Sequence, residues 1–193
     1  MSKKMLNSYI ARNHTASVFT ANELSVIQKG DIGKMVTTFL DLADDDYNQQ
    51  LQSVLVSLNQ LLNVELELED IAYDKEYSGK FIGCQMMTGD MDAFLAIAGD
   101  NTTLLKLAAD YCREELPEFD ELAYDALCEL INCIDGLYAT RLSEDDYLIT
   151  ISPPVFYTDK KISCRKGMYR LTFKLQGEYF DLLIVSNDRV NMC

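Results

Sequence analysis

Hydrophobic residues in the first half of the chain recur first with helical spacing and then with strand spacing. Between residues 47 and 62, leucines and valines three or four positions apart form one apolar face, which predicts an amphipathic helix. Over 64–69, apolar residues alternate with three glutamates, which predicts a strand with one solvated face. Further strands are predicted at 81–87 and 93–98, after a turn signal at 77–80.

The second half repeats this order. A linking helix that starts at Asn101 and stops at Pro117 is followed by a long helix over about 118–142. Three strand patterns come next, at 147–152, 168–175 and 179–185. The repetition indicates an internal duplication. We therefore predict an α/β (α+β) fold in which two units of three antiparallel strands form a sheet layer and the long helices pack on it.

Residues 1–45 are the least regular part of the chain. We predict that they form an N-terminal extension with one or two short helices, and that 46–193 form the folded domain. The single histidine, His14, lies in a polar stretch of this extension, so we expect a solvated side chain near the chain end.

The charge balance narrows the classes of partner. The chain has 31 acidic against 17 basic residues and a formal net charge of −14. Nucleic-acid binding and docking on an anionic membrane both need clustered lysine and arginine, so neither is expected. No apolar run reaches the roughly 20 residues that cross a bilayer, and the polar N-terminus does not resemble a secretion signal. We therefore expect a cytoplasmic protein with reduced cysteines.

The residue inventory also narrows the chemistry. One histidine leaves no room for a histidine-centred triad or a histidine-rich zinc site, and the sequence has no glycine-rich nucleotide-binding loop. Any reaction must therefore use carboxylates, amides, hydroxyls or thiols.

The long helix at 118–142 carries the candidate chemistry. At about 100° per residue, Asp125, Glu129, Asn132 and Gly136 fall on one narrow polar stripe opposite the apolar face. Such a stripe is often only a solvated face. Asn132, however, is a mediocre helix former, and a glycine inside a helix costs about 1 kcal/mol, which suggests that a partner's backbone approaches Gly136. Asp125 and Glu129 lack a third ligand, so no metal site is predicted.

The segment from Asp125 to Gly136 resembles the signature helix of the CheC/CheX/FliY chemotaxis phosphatases, in which an aspartate or serine precedes a glutamate, an asparagine and a glycine. The stretch after it, with Pro153 and Pro154, is similar to the next strand of that family and its proline break. The resemblance covers about residues 47–187 and agrees with the duplicated layout.

The resemblance implies a function. Members of the family hydrolyse the aspartyl phosphate of the response regulator CheY. Carried over, Glu129 and Asn132 are the catalytic pair: Asn132 orients a water molecule, and Glu129 pairs with the receiver's lysine. Asp125 and Gly136 would contact the partner. No cofactor is expected on this chain, because the receiver brings its own Mg²⁺. The alternatives are a non-catalytic adaptor of a receiver or flagellar switch, and a purely structural domain.

CheC-like members of the family carry two such sites, one in each half, and the first long helix departs from that pattern. If Asn59 is aligned with Asn132, then Val56 stands at the position of Glu129 and Gln52 at that of Asp125. The chain is therefore expected to have one site, as CheX-like members do. Those members form dimers, and an exposed strand edge leaves a homodimer open here.

Residues 19–31 are similar to the N-terminal peptide by which the flagellar switch proteins FliM and FliY bind phosphorylated CheY. This resemblance implies a receiver-binding helix with Glu23 and Ile27 as contact residues, which would raise the local concentration of the receiver. Thr20 and Glu23 also have the spacing of a capping box, which is found in many ordinary short helices.

Overall fold

The computed structural model describes residues 4–16, 18–40, 42 and 44–193. Its helices are α1 (Asn7–Asn13), α2 (Ala21–Lys29), α3 (Ile32–Met35), a π-helical turn (Val36–Leu40), α4 (Asp45–Leu61), α5 (Asn101–Cys112) and α6 (Glu121–Glu144). Its strands are β1 (Leu66–Gly89), β2 (Ala93–Gly99), β3 (Ile149–Ile151), β4 (Val155–Leu175), β5 (Glu178–Ser186) and β6 (Val190–Met192).

All six strands belong to one antiparallel sheet of order β3-β1-β2-β5-β4-β6. Strands β1 and β4 also pair directly, from Leu66 with Leu175 to Cys84 with Val155. The pairings β1–β2, β2–β5, β5–β4 and β4–β1 therefore close a ring. Each half of the chain contributes a long helix, a long strand and a shorter strand. The α+β class with long helices on an antiparallel sheet is confirmed, and the two units share one sheet.

The predicted turn at 77–80 is wrong, because β1 runs through it without a break. Gly79 is part of the strand, where a methyl group would lie 2.9 Å from the Tyr77 ring and 3.0 Å from the Ile82 side chain. The glycine thus leaves room for two neighbouring side chains. The partner of this part of β1 is the first half of β4, residues 155–167, which the hydrophobic pattern did not predict.

The long helices cover one face of the sheet and bury the main core. Fully buried residues from α4, such as Leu51 and Leu55, meet residues from α6, such as Leu130 and Ile134, and the sheet residue Phe173. A second cluster fills the other face of the sheet. Among the described residues, no helix is long and apolar enough to cross a membrane.

The N-terminal extension contributes to the same core. Leu6, Met35 and Val36 are completely buried, and the backbone N–H of Leu68 donates a hydrogen bond of 2.8 Å to the carbonyl of Met5. The extension is therefore packed against the sheet and α4. Its status as a separate unit, with a boundary at residue 46, stays a prediction.

The expectation for His14 is wrong. Its side chain is only 11% exposed, and its ring lies 3.9 Å from that of Phe19, centroid to centroid. Its Nε2 atom is 3.2 Å from a carboxylate oxygen of Glu23. The extension folds back on itself through these contacts, so that proximity to the N-terminus does not leave the histidine in solvent.

Candidate functional site

Helix α6 holds the candidate site on a rigid element. Asp120 caps its N-terminus by accepting hydrogen bonds from the N–H groups of Leu122 and Ala123. Such caps satisfy backbone donors that a helix leaves unpaired in its first turn. The apolar side of α6 is buried against the sheet and the other long helices, so its polar stripe faces outward.

The structure brings together the two residues predicted to be catalytic. Glu129 is exposed and Asn132 is half-buried, and Asn132 Nδ2 lies 3.5 Å from Glu129 Oε2. Asp125 is exposed one turn before Glu129. Among the described residues, no lysine or arginine forms an ion pair with Glu129. Its carboxylate therefore lacks a cationic partner within the described chain.

The buried side of Asn132 contacts a residue that the sequence patterns did not single out. Gln85, on β1, is 2% exposed, and its Nε2 atom donates to Asn132 Oδ1 at 3.0 Å and to the carbonyl of Ser152 at 2.7 Å. Ser152 directly precedes the proline pair. A polar residue within the apolar run of β1 was the available signal, but its partner is 47 positions away.

The second neighbour of Glu129 is a thiol. Cys133 Sγ lies 3.7 Å from Glu129 Oε1 and 3.4 Å from the hydroxyl of Tyr111 on α5. Burial raises the pKa of Tyr111, and its contact with Cys133 acts in the same direction, so this hydroxyl stays protonated. The site thus extends from α5 across α6 to β1.

Gly136 has no internal packing role that requires a glycine. A methyl group placed on it would meet no heavy atom within 4 Å beyond the excluded chain neighbours and local helix backbone. The helix therefore carries the destabilising effect of glycine at a position with open space in front of it. The approach of a partner at Gly136 stays a prediction.

Beside the stripe, α6 also buries a carboxyl group. Asp135 is 1% exposed, and no donor from the described residues reaches its Oδ2 atom. Removal from water raises the pKa of Asp135 well above its ordinary value. The sequence patterns did not single out Asp135.

The corresponding face of α4 is occupied by other parts of the chain. Gln52 accepts a hydrogen bond of 3.4 Å from Arg141, and a methyl group on Gly33 would lie 3.4 Å from it. Val56 is half-buried against the core, and Asn59 lines a small cleft with Met5. Helix α4 therefore differs from α6 in the side chains on this face and in being covered by the extension.

The extension residues proposed to bind a receiver already have contacts within the chain. Glu23 forms the capping box of α2: it accepts from the Thr20 N–H at 2.7 Å and donates its own N–H to Thr20 Oγ1 at 3.2 Å. Ile27 is half-buried against the main core. The receiver-binding role of both residues stays a prediction.

Within 4–16, 18–40, 42 and 44–193, no three side chains of histidine, cysteine, aspartate or glutamate are grouped so that they could hold an ion.

Comparison with known proteins places this site in a family context. Residues 81–176, which include Gln85, Glu129, Asn132 and the proline pair, match the family model of the chemotaxis phosphatase CheX. No curated protein has a sequence that can be matched to the chain.

Several solved structures share the fold. A CheC-like superfamily protein from Shewanella sp. PV-4 has 22% sequence identity and a TM-score of 0.62, over 75% of this chain and 99% of that one. The chemotaxis protein CheX from Vibrio vulnificus has 19% identity and a TM-score of 0.61, over 74% and 99%. A chain of the CheX–CheY–BeF3–Mg²⁺ complex from Borrelia burgdorferi has 19% identity and a TM-score of 0.54, over 74% and 98%.

Proposed function

Because the chain belongs to the CheX/CheC-like family of chemotaxis proteins, we propose that it hydrolyses the aspartyl phosphate of a CheY-like receiver, with Glu129 and Asn132 at the site. The observation that carries this proposal is the open face of α6, where the Asn132 carboxamide is held beside a Glu129 carboxylate without a cationic partner among the described residues. The match to the phosphatase family and the CheY complex of a structural relative support the choice of reaction and partner.

The chemistry suits an amide and a carboxylate. A water oxygen forms a bond to phosphorus, the bond from phosphorus to the aspartyl oxygen breaks, and a water proton passes to phosphate or solvent. A carboxamide is too weak a base to remove that proton, but it donates and accepts hydrogen bonds and can orient the water in line. Glu129 would pair with a lysine of the receiver and hold the two proteins in register.

The surroundings of the pair support docking of another protein. Gly136 leaves open space one turn beyond Asn132, and the exposed Leu122 offers apolar surface one turn before Asp125. The net charge of −14 does not attract an acidic receiver over long distances, so recognition depends on these local contacts.

We propose no metal or organic cofactor on this chain. The phosphoryl group needs compensation of its negative charge, which Mg²⁺ and the lysine of the receiver would supply. The contribution of Glu129 and Asn132 is then the position of the lysine and of the water.

The decisive experiment measures loss of phosphate from a receiver phosphorylated with acetyl phosphate. The wild-type chain should accelerate the loss over the receiver's own decay, and Asn132→Ala should abolish the acceleration. Glu129→Gln, which keeps shape but removes charge, should mainly weaken receiver binding. The proposal fails if the wild type gives no acceleration, and the site assignment fails if Asn132→Ala remains fully active.

The same experiment separates the second candidate, a non-catalytic adaptor. An adaptor would bind the receiver activated with beryllofluoride and leave the decay of its phosphate unchanged. The open face of α6 is compatible with both functions, and only the rate distinguishes them.

Two further proposals concern the assembly. Residues 19–31 would bind the receiver through Glu23 and Ile27, which requires these side chains to exchange internal contacts for the partner. Glu23→Ala and Ile27→Ala should then weaken receiver binding without changing the maximal rate.

A homodimer would form through a strand edge, and light scattering of the purified chain at several concentrations tests it.

A further inference from the structure

We propose that Gln85 is a positioning residue that fixes the orientation of the Asn132 carboxamide; this inference rests on the proposed phosphatase function. Gln85 touches neither the receiver nor the water in this scheme. It acts through Asn132, from the buried side of the site.

A chain of hydrogen bonds determines the orientation. The carbonyl oxygen of Ser152 can only accept, so the Gln85 atom 2.7 Å from it must be the donor Nε2. The same Nε2 atom lies 3.0 Å from Asn132, so the facing atom of Asn132 must be its acceptor, Oδ1. Nδ2 of Asn132 is thereby directed toward Glu129 and the open face. A backbone carbonyl on the sheet edge thus sets the direction of a side chain on the helix.

The carbonyl of Ser152 is itself held in place. The Ser152 N–H donates to the carbonyl of Met86 at 2.9 Å, and its hydroxyl accepts from the N–H of Met86 at 3.2 Å. Pro153 follows directly, and a residue before proline is restricted to extended conformations. The proline break therefore has a physical role in this site, because it fixes the acceptor that orients Gln85.

Gln85 occupies this position although its Oε1 atom has no hydrogen-bond donor among the described residues. This atom is completely buried. A buried carbonyl oxygen without a partner is unfavourable, and an apolar residue of similar size would avoid it. An apolar residue, however, could not donate the hydrogen bond by which Gln85 orients Asn132.

The orientation matters because an asparagine side chain ends in a torsion with two nearly equivalent states. Without Gln85, the carboxamide would present its oxygen or its nitrogen to the water, and the side chain could shift. Loss of the preferred state alone would cost about twofold in rate. A displacement of 1 Å would cost about 100-fold.

The test replaces Gln85 by methionine, which has a similar length and no donor. We expect Gln85→Met to lower kcat for hydrolysis of the phosphorylated receiver about tenfold, within the range set by loss of orientation and displacement. KM and the affinity for the beryllofluoride-activated receiver should stay unchanged. Gln60→Met, the same exchange at an exposed position of α4, is the matched control and should keep the wild-type rate.

A second readout does not depend on activity. The side-chain amide signals of Asn132, identified by nuclear magnetic resonance from their loss in Asn132→Ala, should shift and exchange faster with solvent in Gln85→Met. Gln85→Leu serves in the same measurement if the methionine variant does not fold. Unchanged amide signals, or an unchanged kcat, would overturn the inference, and so would a parallel loss of receiver affinity. If the wild type shows no phosphatase activity, the proposed function fails, whereas the amide signals still decide the role of Gln85.

Discussion

Asp135→Asn should stabilise the protein, and the gain should increase with pH. The carboxyl group lies on the buried side of α6, where Asp135 is 1% exposed, and burial raises its pKa well above the ordinary value. In the unfolded chain it ionises near its ordinary pKa of about 3.9. The folded state therefore binds a proton more tightly than the unfolded state.

The sign of the pH dependence follows from this difference. Below about pH 4 both states are protonated, and the group does not oppose folding. As the pH rises, the unfolded chain ionises first, so the free energy of unfolding falls until the folded pKa is passed. One proton corresponds to at most about 1.4 kcal/mol per pH unit, or roughly 3 to 6 °C in Tm for a domain of this size.

The assay compares the urea-induced unfolding of wild type and Asp135→Asn between pH 5 and pH 8. The difference in unfolding free energy should grow with pH by up to about 1.4 kcal/mol per unit and then level off. Asp125→Asn, the same substitution on the exposed face of this helix, is the control. Parallel curves for wild type and Asp135→Asn would show that Asp135 does not titrate as its burial requires.

Three other features are tested by substitution. Gly136→Ala should raise the free energy of unfolding by about 1 kcal/mol in thermal or urea melts, because alanine is a better helix former and the position is open. The same variant should weaken receiver binding. Unchanged binding would show that Gly136 is not part of the interface. Gly167→Ala should destabilise the protein by about 1–3 kcal/mol, because the φ of Gly167 is 146° and a methyl group there would lie 2.6 Å from the Tyr73 ring. An unchanged free energy of unfolding in the same melts would contradict this strain. Leu6→Ala should lower the free energy of unfolding by about 2–5 kcal/mol if the extension is part of the core. The side chain of Val18 is 75% exposed, so Val18→Ala is the control and should leave the stability unchanged. Equal melting temperatures of the two variants would show that the extension does not contribute to the core.

Local periodicity predicted the helices well. The expected helices at 47–62 and 118–142 correspond to α4 and α6, with boundaries shifted by a few residues. The pattern succeeds here because each helix buries one continuous apolar face, and the spacing of that face is visible in a short window. The stripe from Asp125 to Gly136 follows from the same geometry.

Contacts between distant residues explain what the sequence did not predict. The middle of β1 is a strand because β4 lies beside it, and its exposed polar residues and Gly79 look like a turn when read alone. Gln85 reads as one polar residue in a strand until the fold brings it to Asn132 and Ser152. His14 was assigned to solvent because the packing of the extension has no local signature.

The closed ring of strand pairing constrains how the protein can fold during synthesis. The pairing of Leu66 with Leu175 cannot form until β4 has left the ribosome. That is a delay of about 110 residues, or roughly 5 to 20 s at a translation rate of about 5–20 residues per second. During that time β1 lacks its main neighbour, and its apolar residues are open to chaperones or to other nascent chains. Contacts of such long sequence separation also slow refolding, so the sheet is expected to be the last part of the molecule to form.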